Sequence, residues 1–572
     1  MDRDYPIYTL RTECQDCYKC VRQCPVKAIK VEDGHASVVP ELCVACGHCV
    51  QICPAKAKRV RDDLGRVKYL LERKEKVYVS LAPSWVSEFQ GVDEKKIITA
   101  LKKLGFAGVG ETALGAQDVS AETASVLAKA GKGVFISSAC PSCVEFIRKY
   151  MPEHAALSVT GMFSPLLAHC KILRKAFGNN IGIVFIGPCI AKKSEADMYP
   201  ELLDVALTFS DMRRWLEEKK IDPAKIKPEN SASFVPRASE EGGIYPVEGG
   251  MIDTIRAHEL PPEVKYVAIS GLHNIDKALS GIGLDGFDNP VFIEALACEG
   301  GCINGPCTSY EMPGLLARMK IVNKIKMPKK VLKRKASSNI NMEIYPDPII
   351  APLQDETKIK DALRSVGKTS PDDELNCGGC GYETCRNFAK ALLEKKAEPA
   401  MCLSYLRKQV QKKANALLRC IPAGVVIVDA EMKIIECNEF FAKMFDEATA
   451  CAYEARPGLA GALISRIVPF HELFAGVLSG GKDMHRDSIK VGGRLYGITI
   501  FNIEPHQAVG AVIFDVTRTE MRREQIAEKA KKVIHKNLET VQEIACRLGE
   551  HMADTEILLR SIADDYTDNN EE

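Results

Sequence analysis

The sequence predicts a multidomain chain of α/β and α+β parts, and three observations predict it. Eight cysteines in the first 60 residues form an internal repeat, Cys14-x2-Cys17-x2-Cys20-x3-Cys24-Pro25 and Cys43-x2-Cys46-x2-Cys49-x3-Cys53-Pro54. From Val77 to about residue 320, short β-branched runs alternate with helical patterns, as parallel α/β layers do. Beyond residue 403 the order is helix, strand-like pair, helix and three more strand-like runs, an α+β arrangement followed by a helical tail.

Composition narrows the classes. At ~150 residues per domain, the 572 residues suggest about four domains. Lys plus Arg (77) balances Asp plus Glu (76), so neither a nucleic-acid partner nor an anionic membrane is expected. No apolar run approaches the ~18 residues of a spanning helix. The Met1-to-Leu10 start lacks the basic, apolar, small-residue order of a signal peptide. The 23 cysteines cluster at short ligand spacings, so they read as metal ligands rather than disulfides. A cytoplasmic protein of an anaerobe is expected.

Residues 1–62 carry the doubled cysteine run. It is the bacterial two-cluster ferredoxin pattern, in which the fourth Cys of each run ligates the other cluster. Cys14, Cys17, Cys20 and Cys53 are expected to hold one 4Fe–4S cube, and Cys43, Cys46, Cys49 and Cys24 the second. Zinc and accidental spacing are the alternatives, and the repeat speaks against both. Cubes of this kind conduct single electrons at low potential.

Residues 63–322 contain strand-like runs at Val77 to Leu81, Val134 to Ser138, Ile183 to Ile186 and Tyr266 to Ser270. Helical patterns lie between them, at Glu94 to Leu104, Glu122 to Lys129 and Pro165 to Ala176. Three segments put cysteines just after apolar runs: Ser137-Ser138-Ala139-Cys140-Pro141, Gly187-Pro188-Cys189-Ile190-Ala191-Lys192-Lys193-Ser194-Glu195, and Glu294-Ala295-Leu296-Ala297-Cys298-Glu299-Gly300-Gly301-Cys302. Four thiolates thus converge from strand ends, where open α/β sheets put their sites.

In these ordered segments the chain resembles the FeFe hydrogenases, whose signatures are T-S-C-C-P, M-P-C-x-x-K-x-x-E and E-x-M-A-C-x-G-G-C. Lesser matches are Glu248-Gly249-Gly250-Met251 and Ser270-Gly271-Leu272-His273-Asn274. The resemblance implies two parallel α/β lobes over a six-iron H-cluster. Cys140, Cys189, Cys298 and Cys302 would bind its 4Fe–4S cubane. Cys302 would also bridge to a di-iron unit bearing carbon monoxide, cyanide and an azadithiolate. Lys192 matches the lysine that donates to a cyanide, with a solvated lysine as the bland reading. Glu195 matches a glutamate near the proton route, with a structural ion pair as its alternative.

The departures from the family pattern carry as much meaning. Ala139 stands where the family has a proton-relay cysteine, and a methyl group carries no proton. A positioned acid or base contributes about 10²–10⁴-fold, so slow turnover is expected. Gly187, beside Pro188, and Leu296 replace two methionines of the di-iron pocket and remove soft contacts there. Leu114-Gly115-Ala116-Gln117-Asp118 leaves Glu122 as the one nearby proton-channel candidate. Cys143, Cys170 and Cys307 read as core packing, with a proton role open for Cys143 and Cys307.

Residues 323–344 are expected to form a basic linker whose charge is a solvated face. In 345–404, Cys377-x2-Cys380-x4-Cys385-x16-Cys402 fits a small helical domain with one further 4Fe–4S cluster. It resembles the four-cysteine domain of electron-transport and corrinoid proteins. Zinc is the alternative, although Cys₄ zinc sites usually pair two short hooks.

Residues 405–517 resemble a PAS sensor domain, on a helix at Tyr405 to Leu418, Val425-Val426-Ile427-Val428-Asp429, Lys433 to Asn438 and a helical Glu439 to Phe445. Strand-like runs follow at Arg486 to Val491, Arg494 to Ile503 and Val509 to Val516. Dimerisation and small-molecule sensing are equally compatible with it, and Cys437 and Cys451 read as packing residues. In 518–572, apolar residues from Ile526 to Leu548 recur at helical spacing, which suggests a signalling helix or dimeric coiled coil. His535 lacks a kinase-type acceptor context, and Asp564 to Glu572 reads as an acidic, frayed end.

The resemblances together imply a hydrogenase that exchanges H2 with protons and electrons and signals through its PAS end. The implied partners are ferredoxin or another low-potential carrier, a phosphatase or kinase, and a second copy of the chain. A metabolic hydrogenase and a non-catalytic iron–sulfur scaffold are the competing classes.

Overall fold

The computed structural model describes residues 5–281, 287–309, 312–350 and 352–567. It divides into two units, Met1–Leu406 and Arg407–Glu572.

Two parallel sheets form the centre of the first unit. One runs in the order Gly108–Glu111, Val77–Leu81, Gly182–Gly187, Val205–Thr208. The other runs Lys265–Ser270, Pro290–Leu296, Gly133–Ile136. Val77–Leu81, Gly182–Gly187 and Pro290–Leu296 are buried along their whole length. That explains their largely apolar character, with Ser80 and Glu294 as buried polar exceptions, because the inner strands of a parallel sheet are covered on both faces. The helix Pro165–Phe177 lies where the periodicity puts it, whereas the helix expected from Glu122 begins nine residues earlier and runs Ala113–Lys129. Each cysteine segment leaves the carboxyl end of a strand: Gly182–Gly187 in one sheet, Gly133–Ile136 and Pro290–Leu296 in the other.

The amino-terminal domain repeats in backbone as well as in sequence. Asp16 and Tyr18 of the first half take φ of 49° and 52°, and Ala45 and Gly47 of the second take 51° and 78°. Left-handed residues at matching places curl both loops around their cysteines. A short helix follows in each half, Lys19–Gln23 and His48–Ile52, and two antiparallel pairs close the domain: Ile7–Thr9 with Lys58–Val60 and Ile29–Glu32 with His35–Val38. Val26, Ala28 and Val44 pack into one core with Phe146, Ile147 and Ile293, which fixes this domain against the second sheet.

Residues 323–344 are not a free basic linker. Phe163 N–H donates to the Ile340 carbonyl at 2.8 Å, Leu332 N–H to that of Ala257 at 2.8 Å and Met342 N–H to that of Gly161 at 3.0 Å. Arg334 pairs with the buried Glu241, and Ile340 is buried. Backbone donors and one specific ion pair hold the strap, information that a charge count does not contain. The four-cysteine domain, with helices Glu356–Ser365 and Cys385–Leu393, shares a core with the first half of the repeat through Val366, Tyr382 and Phe388 against Val21, Ile29 and Val31.

The second unit holds one antiparallel sheet ordered Ile434–Cys437, Gly424–Asp429, Ala508–Asp515, Arg494–Glu504, Met484–Val491. Phe441, Phe474 and Val477 from the helices Glu439–Phe445 and Glu472–Gly480 cover its core. Asn438 caps the first of these, accepting from Phe441 N–H at 2.9 Å. Cys437 is buried as expected, whereas Cys451 is exposed on the helix Glu447–Ala455 and packs in no core. A 51-residue helix, Thr517–Thr567, ends the described chain. Of the acidic end, residues 568–572 lie outside the described residues. Among the described residues no helix is long and apolar enough to cross a membrane.

Candidate functional site

The structure brings the cysteines together in the sets that the repeat predicts. Cys20 lies in the field of Cys14, Cys53 and Cys17, and Cys49 in that of Cys46, Cys43 and Cys24. Burial pushes the Cys46 thiol up to about 12, with Cys24, Cys43 and Cys140 as charged neighbours. The second set therefore lies beside the central domain's cysteines. In the four-cysteine domain, Cys380 feels Cys402 and Cys377, and Cys385 N–H donates to Asn376 Oδ1, next to Cys377, at 2.7 Å.

A cavity of about 100 Å³ opens between the two sheets at their carboxyl ends. Predicted residues Ala139, Cys140, Pro188, Cys189, Lys192, Leu296 and Cys302 line it. Cys298 lies outside the lining; with Cys46 it borders a separate groove. Cys302 thus faces the cavity while Cys298 faces the amino-terminal domain, a division of labour set by the turn at Gly300 and Gly301. Both glycines have positive φ, and a Cβ on Gly301 would meet the Pro246 carbonyl oxygen at 2.3 Å.

All four thiols are free, and burial pushes those of Cys189 (to about 11), Cys298 and Cys302 upward. Cys140 is the exception: the hydrogen bond from the Cys143 thiol brings it down to about 6, against the upward push of burial. Cys143 is therefore a hydrogen-bonding neighbour of a predicted ligand. Cys170 and Cys307 are buried thiols raised by desolvation, as packing residues are. Among the other lining residues, three stand out. Ser84 is buried and its Oγ has no hydrogen-bond partner among the described residues. Phe185 packs its ring over Gly187, whose Cβ would lie 2.4 Å from Phe185 Cζ. The space expected to be vacated at Gly187 is filled by an aromatic ring, and Gly187 itself does not reach the cavity. The third is Tyr245, whose hydroxyl bonds Ser120 Oγ at 2.7 Å.

Lys192 Nζ donates to Glu195 Oε2 at 2.6 Å and to Ser164 Oγ at 2.9 Å, all three buried. Glu195 does not line the cavity; it borders a separate cleft of about 270 Å³ with Glu145 and Arg148. Glu122 is half-buried on its helix and lines neither. Glu294 was in the third motif but carried no role in the sequence reading. Its Oε2 accepts from Ile252 N–H at 3.1 Å, its Oε1 has no partner among the described residues, and burial pushes its carboxyl up to about 7.

The donor set fits an iron–sulfur group. The raised thiols of Cys189, Cys298 and Cys302 need metal charge to be stable as thiolates, and a buried hydroxyl bordering an apolar cavity needs an acceptor. Cys140, Cys189, Cys298 and Cys302 would hold that group, with Ser84 and Lys192 as donors to it.

Family comparisons agree region by region. Residues 75–306 match the model for the iron only hydrogenase large subunit, C-terminal domain. Residues 6–54 match the 4Fe-4S dicluster domain, 373–404 an Fe-S cluster family and 413–480 the PAS domain. Iron hydrogenase 1 of Clostridium pasteurianum is 26% identical over 314 residues, 45% of this chain and 54% of the relative. The periplasmic Fe hydrogenase large subunit of Nitratidesulfovibrio vulgaris is 28% identical over 369 residues, 54% of this chain and 87% of the relative. The chain thus spans about half the length of the first of these. A variant of FeFe-hydrogenase HydA1 from Chlamydomonas reinhardtii aligns with a TM-score of 0.40 at 18% identity, over 50% of this chain and 99% of that one. The central domain of this chain thus matches the iron-only hydrogenase large-subunit model, and the regions beside it match dicluster, Fe–S and PAS models.

Proposed function

We propose that this chain is a sensory FeFe hydrogenase, which binds H2, exchanges it slowly with protons and electrons, and reports it through its carboxyl-terminal unit. One observation carries the reading: three of the four expected ligand thiols, Cys140, Cys189 and Cys302, line a cavity together with Ala139 at the expected relay position, and the fourth, Cys298, follows the same strand end as Cys302. An H-cluster held by Cys140, Cys189, Cys298 and Cys302 would supply the metal centre at which H2 ⇌ 2H⁺ + 2e⁻ takes place. Lys192 and Ser84 would orient it, with Glu195 and Ser164 fixing the lysine. Leu296, Phe185 and Pro188 exclude water from its surroundings. Ala139 neither accepts nor delivers a proton, so proton exchange at this wall is slow.

The nearness of Cys46 to Cys140 and Cys298 supports electron passage between the cavity and the dicluster domain. A low-potential carrier such as ferredoxin would exchange electrons there. The exposed apolar residues of Thr517–Thr567, among them Ile534, Leu538, Val541 and Leu548, suit a second copy of the chain or a signalling partner such as a phosphatase or kinase.

Infrared spectra of anaerobically matured protein under argon and then hydrogen test this reading. Carbon monoxide and cyanide bands that shift under hydrogen, with turnover far below that of a metabolic hydrogenase, are expected. Rapid turnover with ferredoxin would instead assign a metabolic role. Absence of the bands after full maturation would overturn the hydrogenase reading.

A further inference from the structure

The two halves of the dicluster repeat match closely after their fourth cysteines. Cys24-Pro25-Val26-Lys27-Ala28-Ile29 corresponds to Cys53-Pro54-Ala55-Lys56-Ala57-Lys58, and even the left-handed lysines agree, Lys27 at φ 49° and Lys56 at 51°. They differ at the sixth place. Ile29 is 2% exposed and sits in an apolar core, and the residue that replaces it, Lys58, is 3% exposed. The repeat thus puts a lysine in a position built for an aliphatic side chain.

A buried ammonium is costly unless an opposite charge lies near it. Two other buried lysines of this unit have such partners. Lys192 has Glu195, and Lys193 has Asp63 at 2.9 Å and Asp211 at 3.2 Å. Lys58 has none among the described residues. Its Nζ donates to two neutral oxygens, Thr9 Oγ1 at 2.7 Å and the Ala36 carbonyl at 2.7 Å. These bonds hold the ammonium in place without neutralising it. Its field falls on one cysteine of each set, Cys20 of the first and Cys49 of the second.

We propose that the two iron–sulfur clusters are themselves the counter-charge of Lys58, and that this lysine sets their potentials together. A cube with four thiolates is net anionic, and each electron that it accepts adds one negative charge. A fixed buried cation whose field reaches both such groups favours the reduced form of both, since net charge and surroundings set cluster potential. Lys58 is a positioning residue of the electron path: it touches neither hydrogen nor the cavity. The proposal rests on the dicluster domain alone, so it stands or falls apart from the hydrogenase and sensory readings.

The test is an EPR-monitored redox titration of the full chain as Lys58→Met and Lys58→Arg. In K58M the reduction equilibrium constants of both dicluster cubes should fall about tenfold, which is ~59 mV for a one-electron couple. The cluster of the four-cysteine domain should stay in place as the internal reference, and K58R should resemble the parent. Retained clusters of which one or neither shifts in K58M would overturn the proposal. Should K58M fail to hold its clusters, K58R decides. Clusters present at parental potentials assign the loss to the missing charge, and clusters lost again assign it to packing and overturn the proposal.

Discussion

The cavity has two unlike walls. On one, three strand-end segments deliver Cys140, Cys189 and Cys302, joined by Lys192 and the unpartnered Ser84 hydroxyl, a donor set that fits a metal group. On the other, Ala139 and Leu296 present only hydrocarbon, and Phe185 closes over Gly187. On the proposed reading, binding and proton traffic are separable properties of one pocket, and this chain would keep the first while thinning out the second. A protein that must register hydrogen needs the binding wall; a protein that must turn it over fast needs both.

The largest effect tests the binding wall. Cys302→Ala removes the thiol that faces the cavity, and the carbon monoxide and cyanide bands should vanish while the dicluster EPR signals persist. Persisting bands would show that the cavity thiols do not hold the group. Lys192→Met comes next. It leaves the Glu195 carboxylate buried with Ser164 as its remaining donor, and breaking a buried pair in this way costs ~3–5 kcal/mol. A lowered unfolding midpoint of the matured protein, together with altered cyanide bands, is expected. Unchanged bands would reduce Lys192 to a structural partner of Glu195.

Legibility followed the same division. The thiols could be read because ligand spacing is local and the strand-end rule is general; Cys140, Cys189 and Cys302 line the cavity as their motifs imply. The sheets were legible because strands buried on both faces, such as Gly182–Gly187, are apolar along their length. Ser84 and Tyr245 were not legible, since a serine after one strand and a tyrosine in a loop meet only through tertiary packing. Phe185 over Gly187 illustrates the same limit. A missing side chain reads as a gap in sequence, but a close-packed interior fills gaps from a neighbour. The strap at 323–344 was misread because charge describes composition, whereas its attachment depends on backbone donors such as that of Phe163.

Glu294, buried in the third motif but off the cavity lining, is the next group to test. Burial raises its carboxyl from 4.5 to about 7, so the folded state holds a proton that the unfolded state releases at lower pH. Native stability should therefore fall as pH rises between about 4.5 and 7 and then level off. Glu294→Gln removes this slope and should stabilise the protein above pH 7 by about 2 kcal/mol, given 1.36 kcal/mol per pKa unit discounted for relaxation. Parallel stability–pH profiles for parent and variant would show that Glu294 does not titrate in this window.

The smallest effect is the most informative about the comparison. Ala139→Cys would supply the thiol expected at a relay position, yet among the described residues no carboxylate lines the cavity to receive the proton from it. Glu195 is engaged by Lys192 and Ser164 and opens on a different cleft, and Glu122 lies off the lining. One restored link in a broken chain should recover about tenfold at most, against the ~10²–10⁴-fold of a complete acid–base relay. Hydrogen evolution by the matured variant, measured beside the parent at equal di-iron content, checks this. A gain of a hundredfold or more would mean that a proton path meets the cavity at residue 139 after all, and that Ala139 alone separates the two walls.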